Sequence, residues 1–509
     1  MAILTKIDSN VTGLRYCEED SYKVVSGDEV WYPLEPNSYS DFGGQVTTVA
    51  RNPINPSRQR KKGVITDLDA SGGFETDVTQ TNLQDLLQGF MFADLRRKAE
   101  FAAVTNVDAA GDTYDAVSGL DVFAIGDLVF AAGFDDAANN GLKHVTSVTA
   151  DTDIGVSEAL VDDASPATGH TLVRVGVQAT ADDIDVDVSG SLPKLTSTTL
   201  DFTDLGLVAG EWIYIGGDAA LEAFSNAENN GFARVYSIAA NELILDKTED
   251  TMVAEASSGG RTVQIFLGRV LKNETGSDIV RRTYQLERQL GAPDDSSPTD
   301  VQAEYIVGAV PSEFSLNIPT ANKATANLTF VGADNETIDG PTSLKAGTRP
   351  DLACADAFNT SSDVPRIHMA VYDEADSAPT ALFAFVEELT LNINNNVSPN
   401  KAIGVLGAFE VTAGTFEVGG SLTAYFADVA AIDAVRANSS ITLDAHLVKD
   451  NVGLSVDVPL ITLGDGRPNV EQDQAIKLPL SMEAAVACGS GITHTLLMVF
   501  WDYLPDAAE

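Results

Sequence analysis

Short apolar-rich runs bounded by polar, turn-forming residues recur along nearly the whole chain. Lys62–Asp67 (KGVITD), Thr171–Val177 (TLVRVGV), Glu211–Ile215 (EWIYI), Val263–Leu267 (VQIFL) and Leu389–Ile393 (LTLNI) are rich in β-branched or aromatic residues, and clusters of Gly, Asn, Asp and Ser bound them. This is the strand-and-turn signature of sandwiches and barrels, and it predicts a mainly β protein. Helical periodicity is scarce. The best case is Thr81–Lys98 (TNLQDLLQGFMFADLRRK), where Leu83, Leu86, Leu87, Phe90 and Met91 fall on one face at i, i+3, i+4, i+7 and i+8. The spacing predicts a helix over 81–98, with Thr81 or Asn82 as N-cap, Asp85 in the first turn, and Arg96, Arg97 and Lys98 complementing the C-terminal end of the dipole. Val429–Ala437 (VAAIDAVRA) is a second, shorter candidate.

A repeat organises the middle of the chain. Gly126–Ala150 reads GDLVFAAGFDDAANNGLKHVTSVTA; GEWIYIGG from Gly210 and NAENNGFARVYSIAA from Asn226 follow the same plan. Both copies have a Gly followed by an acid (Gly126-Asp127, Gly210-Glu211), an apolar strand, Asn-Asn-Gly (Asn139–Gly141, Asn229–Gly231) and a second strand. An Asn-Gly pair tolerates the positive φ of a tight turn, so each copy predicts a strand, a turn and a return strand. Two similar small β modules in tandem are therefore expected at 102–190 and 191–270, each with five or more short strands in an SH3-like barrel.

Charge changes the picture. The 509 residues carry 75 Asp+Glu and 31 Lys+Arg, a formal net charge of −44. Binding nucleic-acid phosphates takes clustered Lys and Arg, so this balance argues against a nucleic-acid-binding surface, and equally against attachment to anionic lipid. Adaptation to a salty habitat is a second source of such acidity. The segment 102–270 holds 27 acidic and 7 basic residues, a net of −20. The one basic block is Arg51–Lys62 (RNPINPSRQRKK), with five cations, Arg51, Arg58, Arg60, Lys61 and Lys62, and no acid. Its Pro and Asn content predicts an extended loop, part of an arm over 33–62. Its charge makes an acidic neighbouring copy of the chain the natural target, so these five residues are the candidate subunit-interface residues.

Candidate chemistry adds little. His144, His170, His368, His446 and His494 are isolated, without the spacing of a metal site, and no nucleophile elbow, phosphate loop or dinucleotide fingerprint occurs. Asp182, Asp183, Asp185 and Asp187 (DDIDVDVSG) alternate as in a calcium loop, but lack the turn glycine and closing Glu of an EF-hand; alternation also fits a charged edge strand. The acidic pairs Asp135-Asp136, Asp162-Asp163 and Asp294-Asp295 read as surface turns, and Trp31, Trp212 and Trp501 as core or interface anchors. Cys17, Cys354 and Cys488 are far apart and odd in number, which predicts buried free thiols. MAILTKIDSN is not built like a signal peptide, and the Leu496–Trp501 run is too short to span a bilayer. The residues therefore predict no enzyme, no cofactor, no metal site and no membrane association.

The outer parts of the chain resemble the tail tube proteins of long-tailed bacteriophages. Glu35–Thr79, with its GG-containing extended stretch, and the amphipathic segment from Thr81 follow that family's strand, arm, strand and helix. Ile306–Val331 (IVGAVPSEFSLNIPTANKATANLTFV) matches its central sheet. Phe385–Asn396 (FVEELTLNINNN), Gly404–Phe426, Ala430–Ala437, Ile441–Lys449 and Leu480–Phe500 match its C-terminal third. The resemblance implies a tail-tube β-sandwich or barrel core, split between 1–101 and 271–509 and interrupted by the two small modules. It further implies a structural subunit assembling as stacked, six-membered rings with an acidic lumen that conducts DNA without binding it. The implied partners are other copies and the terminator, tape measure and distal tail proteins; the implied location is the virion tail, after assembly in the host cytoplasm. A secreted β-module adhesin, a surface-layer protein, or a baseplate or capsid-decoration protein are alternative readings. A β-sandwich glycoside hydrolase is disfavoured by an aromatic content of 7% with no clustered Trp.

Overall fold

The Thr81–Lys98 periodicity folds into a much shorter helix than it predicts. In the computed structural model, which describes residues 7, 9, 12–54, 56–292, 301–338, 344–373, 375–486 and 491–509, helix α1 spans Gln84–Met91 only. The predicted face is nonetheless its buried face: Leu83, Leu86, Leu87, Phe90 and Met91 are all at most 3% exposed. Phe92 adopts the left-handed conformation (φ 49°, ψ 46°) and closes the helix, and Leu83, without a side-chain cap, precedes it. Arg96, Arg97 and Lys98 therefore lie outside the helix. The backbone of Arg96 pairs with Val270 (2.8 and 3.1 Å), and the Lys98 ammonium is buried against Glu211 at 2.8 Å. Ladder bonds and a buried ion pair outweigh the few tenths of a kcal/mol that one more exposed turn would contribute. The second candidate forms helix α2, Ala430–Ala437, with Ala430 N–H donating to Asp428 at 2.8 Å.

The rest of the chain is mainly antiparallel β. It divides into two compact units. One comprises residues 1–93, 274–360 and 387–422; the other comprises 94–273, 361–386 and 423–509. Cys488, Asp294 and Asp295 lie outside the described residues.

The first unit is built around the strand Gln302–Pro319, which pairs with Tyr284–Gly291, Thr325–Gly332, Asp334–Ile338 and Val386–Asn394 along its length. Period two is visible in its second half, where Phe314, Leu316 and Ile318 are buried while Ser315 and Asn317 are partly exposed. Helix α1 closes that buried face: Phe90 packs edge-on to Phe330 (5.2 Å) and against Phe314 (5.9 Å). The Asn395 amide holds the helix end by donating to the carbonyls of Phe90 (3.0 Å) and Pro311 (3.1 Å). Trp31 is fully buried beside Tyr305.

The duplicated region lies in the second unit, where each copy supplies six strands. Numbered within this region, copy one contributes β1 (Val104–Asp108), β2 (Thr113–Ala116), β3 (Asp127–Ala132), β4 (Gly141–Thr149), β5 (Asp153–Val156) and β6 (Thr171–Gln178). Copy two contributes β7 (Asp185–Asp187), β8 (Lys194–Thr196), β9 (Trp212–Ile215), β10 (Gly231–Ala239), β11 (Glu242–Thr248) and β12 (Gln264–Phe266). The orders are β1-β2-β5-β4-β3-β6 and β7-β8-β11-β10-β9-β12, and β6 pairs antiparallel with β12. The two copies are thus related by a pseudo-two-fold axis between β6 and β12, in one sheet.

The repeated residues make the same bonds in both copies. Asp127 accepts from Ala124 N–H (2.8 Å) and Glu211 from Val208 N–H (3.1 Å), so each acid closes the turn ahead of its strand. The first Asn of each pair is fully buried; Asn139 accepts from Val161 N–H and Asn229 from Val253 N–H, both at 2.9 Å. The second Asn accepts from Phe134 N–H or Phe224 N–H. Gly141 and Gly231 then take φ of +92° and +113°, as the Asn-Gly pairs predict. Each copy has its own apolar core, centred on Tyr114, Val129, Val145 and Ile154 in one and on Leu195, Ile213, Val235 and Leu245 in the other.

Around them in the same unit, Ile441–Lys449 pairs with Arg366–Val371 and Val452–Asp465. Val452–Asp465 pairs in turn with Lys477–Ala484 and Leu497–Trp501. A third apolar cluster joins Trp212, Tyr214 and Phe232 of copy two to Val448, Leu497, Val499 and Trp501 of these C-terminal strands.

Candidate assembly surface

The basic block sits at the end of a long two-stranded ribbon. Pro36–Arg51 and Lys61–Asp77 pair antiparallel, with register shifts that twist them, and are connected through residues 52–60. Near its base the returning strand is also paired on its other side, from Asp77 to Ala70, with Thr325–Gly332. From Lys61 to Asp69 its only described strand partner is the outgoing strand. The ribbon therefore leaves the sheet at Ala70, and Lys401 braces it there by ion pairs to Asp67 (2.5 Å) and Asp69.

Beyond that brace the ribbon is exposed on both faces. Val46, Val49, Val64 and Ile65 are about half exposed, and Ile54 in the connecting segment is fully exposed. An isolated two-stranded ribbon is marginal in water, and its open edges and apolar side chains are stabilised by pairing or packing with something else. The structure brings all five predicted cations together at this far end. Arg51 and Lys61 are directly opposed across the ribbon, Lys62 follows, and Arg58 and Arg60 lie in the connecting segment, Arg58 with φ +56°. None of the five has an ion-pair partner among the described residues, and like charges opposed across a ribbon weaken it. An anionic partner would relieve both.

The other candidates flagged in the sequence have local partners. Asp182 accepts from the backbone of Gly260 and Arg261, Asp185 from Ser257 N–H, and Asp187 pairs with Lys194. Asp183 is buried but accepts from Ser197, Thr198 and Thr199, and these bonds outweigh its desolvation to hold its carboxyl at about 2. These aspartates turn to separate partners, and among the described residues no group of His, Cys, Asp or Glu could hold a metal ion. Trp31, Trp212 and Trp501 are buried. Cys17 is a buried free thiol as expected, whereas Cys354, also unpaired, is exposed and corrects that expectation.

Residue spacing does not reveal the ionic groups buried in the second unit. Arg234, inaccessible to solvent, donates to Asp246 (2.9 and 2.8 Å) and to Asp457 (3.0 and 3.2 Å). Asp444 lies between Arg366 (2.6 Å), His368 (3.4 Å) and His446 (3.5 Å). Burial alone would raise its pKa; the guanidinium and the imidazoles reverse that and hold it well below the carboxylate range. Asp444, His446, Asp246 and Asp457 are at most 1% exposed, so these charges hold strands together out of reach of any substrate. Contacts between residues distant in the chain, such as Arg366–Asp444, 78 residues apart, complete them.

A model of the family described as phage tail tube protein matches residues 9–484. A search of curated proteins finds no match. Among the described residues, no helix is long and apolar enough to cross a membrane.

Proposed function

Since the chain belongs to the phage tail tube protein family, and is thus a structural component of the virion tail, we propose that it forms the tube wall as stacked, six-membered rings. The ribbon carries this reading: beyond Ala70 both its edges are unpaired among the described residues, and it bears exposed apolar side chains and a cationic tip on a chain of net charge −44. The tip docks on acidic surface of an adjacent copy, with Arg51, Arg58, Arg60, Lys61 and Lys62 as the contact residues. Opposite charge speeds such an encounter and fixes its register, while the exposed valines and isoleucines supply the apolar burial that keeps it. The acid excess that remains lines the lumen and repels phosphate, so DNA passes without sticking. Partners at the ends and inside the tube are the terminator, distal tail and tape measure proteins, met during assembly in the host cytoplasm.

Electron microscopy of the purified chain tests this. Rings and tubes are expected, and the Arg58→Glu/Arg60→Glu/Lys61→Glu variant is expected to remain unassembled with an unchanged melting temperature. A wild-type chain that stays monomeric at high concentration would refute the reading.

A further inference from the structure

The first unit also carries a groove whose chemistry matches the ribbon tip. It has a volume of ≈ 290 Å³, and its floor and walls include Tyr16, Tyr32 and Leu352. Tyr16 and Tyr32 are in tilted ring contact at 5.5 Å. Tyr16 is buried, whereas Tyr32 and Leu352 are 42% and 45% exposed and present apolar surface to the opening. Glu35, Asp85 and Asp351 stand around it. Arg15 lies close by and keeps its charge while donating to the carbonyls of Pro350 (2.8 Å) and Trp31 (3.1 Å); Glu35 and Asp351 outnumber it. The volume lies just below the roughly 300–1,000 Å³ typical of small-molecule sites, so it suits one or two inserted side chains.

We propose that this groove receives the ribbon tip of a second copy of the chain, with Ile54 as the inserted side chain and Arg58 and Arg60 facing Glu35, Asp85 and Asp351. The inference rests on the ribbon-docking reading above and adds the acceptor. Three properties single out the tip. It belongs to the chain's one acid-free cationic block, it offers a fully exposed isoleucine, and it places prolines beside that residue, which suit tyrosine faces. A buried aliphatic anchor ringed by ion pairs is the arrangement that concentrates binding energy in small interfaces.

Native Cys354 provides the test, because it is exposed and sits between Ala353 and Ala355, which line the groove. Tubes grown from Ile54→Cys and mildly oxidised are expected to run as a ladder of covalent oligomers without reductant, and Ile54→Cys/Cys354→Ser tubes as single chains. Tubes that form normally but give no ladder, or a ladder that survives Cys354→Ser, would overturn the acceptor while leaving the tube reading intact. Absence of tubes from the wild-type chain would instead defeat the tube reading. If Ile54→Cys itself blocks assembly, a charge swap decides. Asp351→Lys is expected to raise the concentration needed for tubes about tenfold, and Asp351→Lys/Arg58→Glu to recover most of that; purely additive losses would refute the contact.

Discussion

The two copies of the duplicated module share a strand order, a turn chemistry and a buried asparagine, yet they treat one equivalent position in opposite ways. Three residues after the glycine of Asn-Asn-Gly stands His144 in copy one and Arg234 in copy two. His144 is half-buried; its backbone N–H bonds Glu158 at 2.9 Å, and desolvation lowers its imidazole pKa. Arg234 is wholly buried between Asp246 and Asp457, and although desolvation opposes its charge, the two carboxylates raise its pKa and keep it charged. The faces around them diverge in step. Trp212, Tyr214 and Phe232 of copy two are sealed under Val448, Leu497, Val499 and Trp501. Their counterparts in copy one are Leu128, Phe130 and Leu142, and the last two are only partly buried. The two copies share what each module needs to fold, namely the core and the turns. Both contribute to the cluster with the C-terminal strands, copy one through Leu128, Val175 and the Phe130–Tyr503 stack, but the outer face of copy two is buried more completely.

The largest expected effect breaks this difference directly. Arg234→Leu strands two buried carboxylates and is expected to cost about 3–5 kcal/mol, whereas His144→Leu should cost about 1 kcal/mol or less. Denaturant unfolding followed by tryptophan emission checks both, since Trp212 and Trp501 report on the affected face. Equal costs would mean that the two faces are not distinct.

The shared feature gives the next effect. Asn139→Ala and Asn229→Ala each leave a buried backbone N–H, of Val161 or Val253, without its acceptor, and each is expected to cost about 1–3 kcal/mol. Similar losses, read by protection of Val161 and Val253 in hydrogen exchange, would support the modules' common design; a loss in one copy alone would sink it.

The smallest effect separates the copies again, through Glu255. The bridge between Val186 and Glu255 in copy two corresponds to that between Val107 and Asp163 in copy one. Glu255 accepts from Ser225, Asn226 and Asn229, and these bonds overcome its desolvation to hold its pKa at about 2 against an ordinary 4.5. A depressed carboxyl stabilises the fold above its unfolded pKa, and that contribution disappears as pH falls from about 4.5 through about 2. Acid titration of the Glu255→Gln variant should therefore show a shallower loss of copy-two stability in that window than wild type. An unchanged slope would show that Glu255 carries no linkage.

Much of this was legible in the chain. The repeat could be read from Gly-acid and Asn-Asn-Gly because each of those residues answers a local demand: a carboxylate returning to an N–H three residues earlier, and a glycine at positive φ. Helix α1 was legible as a face but not as a length, because periodicity reports which side chains can be buried together and does not report that Phe92 turns left-handed or that Glu211 draws off Lys98. The five cations of the ribbon were legible as a group, whereas their block read as a loop; only the pairing of Arg51 with Lys61 shows that it caps a ribbon leaving the sheet.

Sequence by itself determined the local matters: a mainly β chain, where its strands turn, which helix face is apolar, and an excess of acid with one cationic exception. Those follow from side-chain chemistry acting over a few residues. Tertiary structure alone decided how completely each copy would be buried against the C-terminal strands and which charges would be buried to do it. Arg234 and Asp457 lie 223 residues apart, and no local preference can announce a partner at that distance; only the folding of both segments into one unit brings the guanidinium to its second carboxylate.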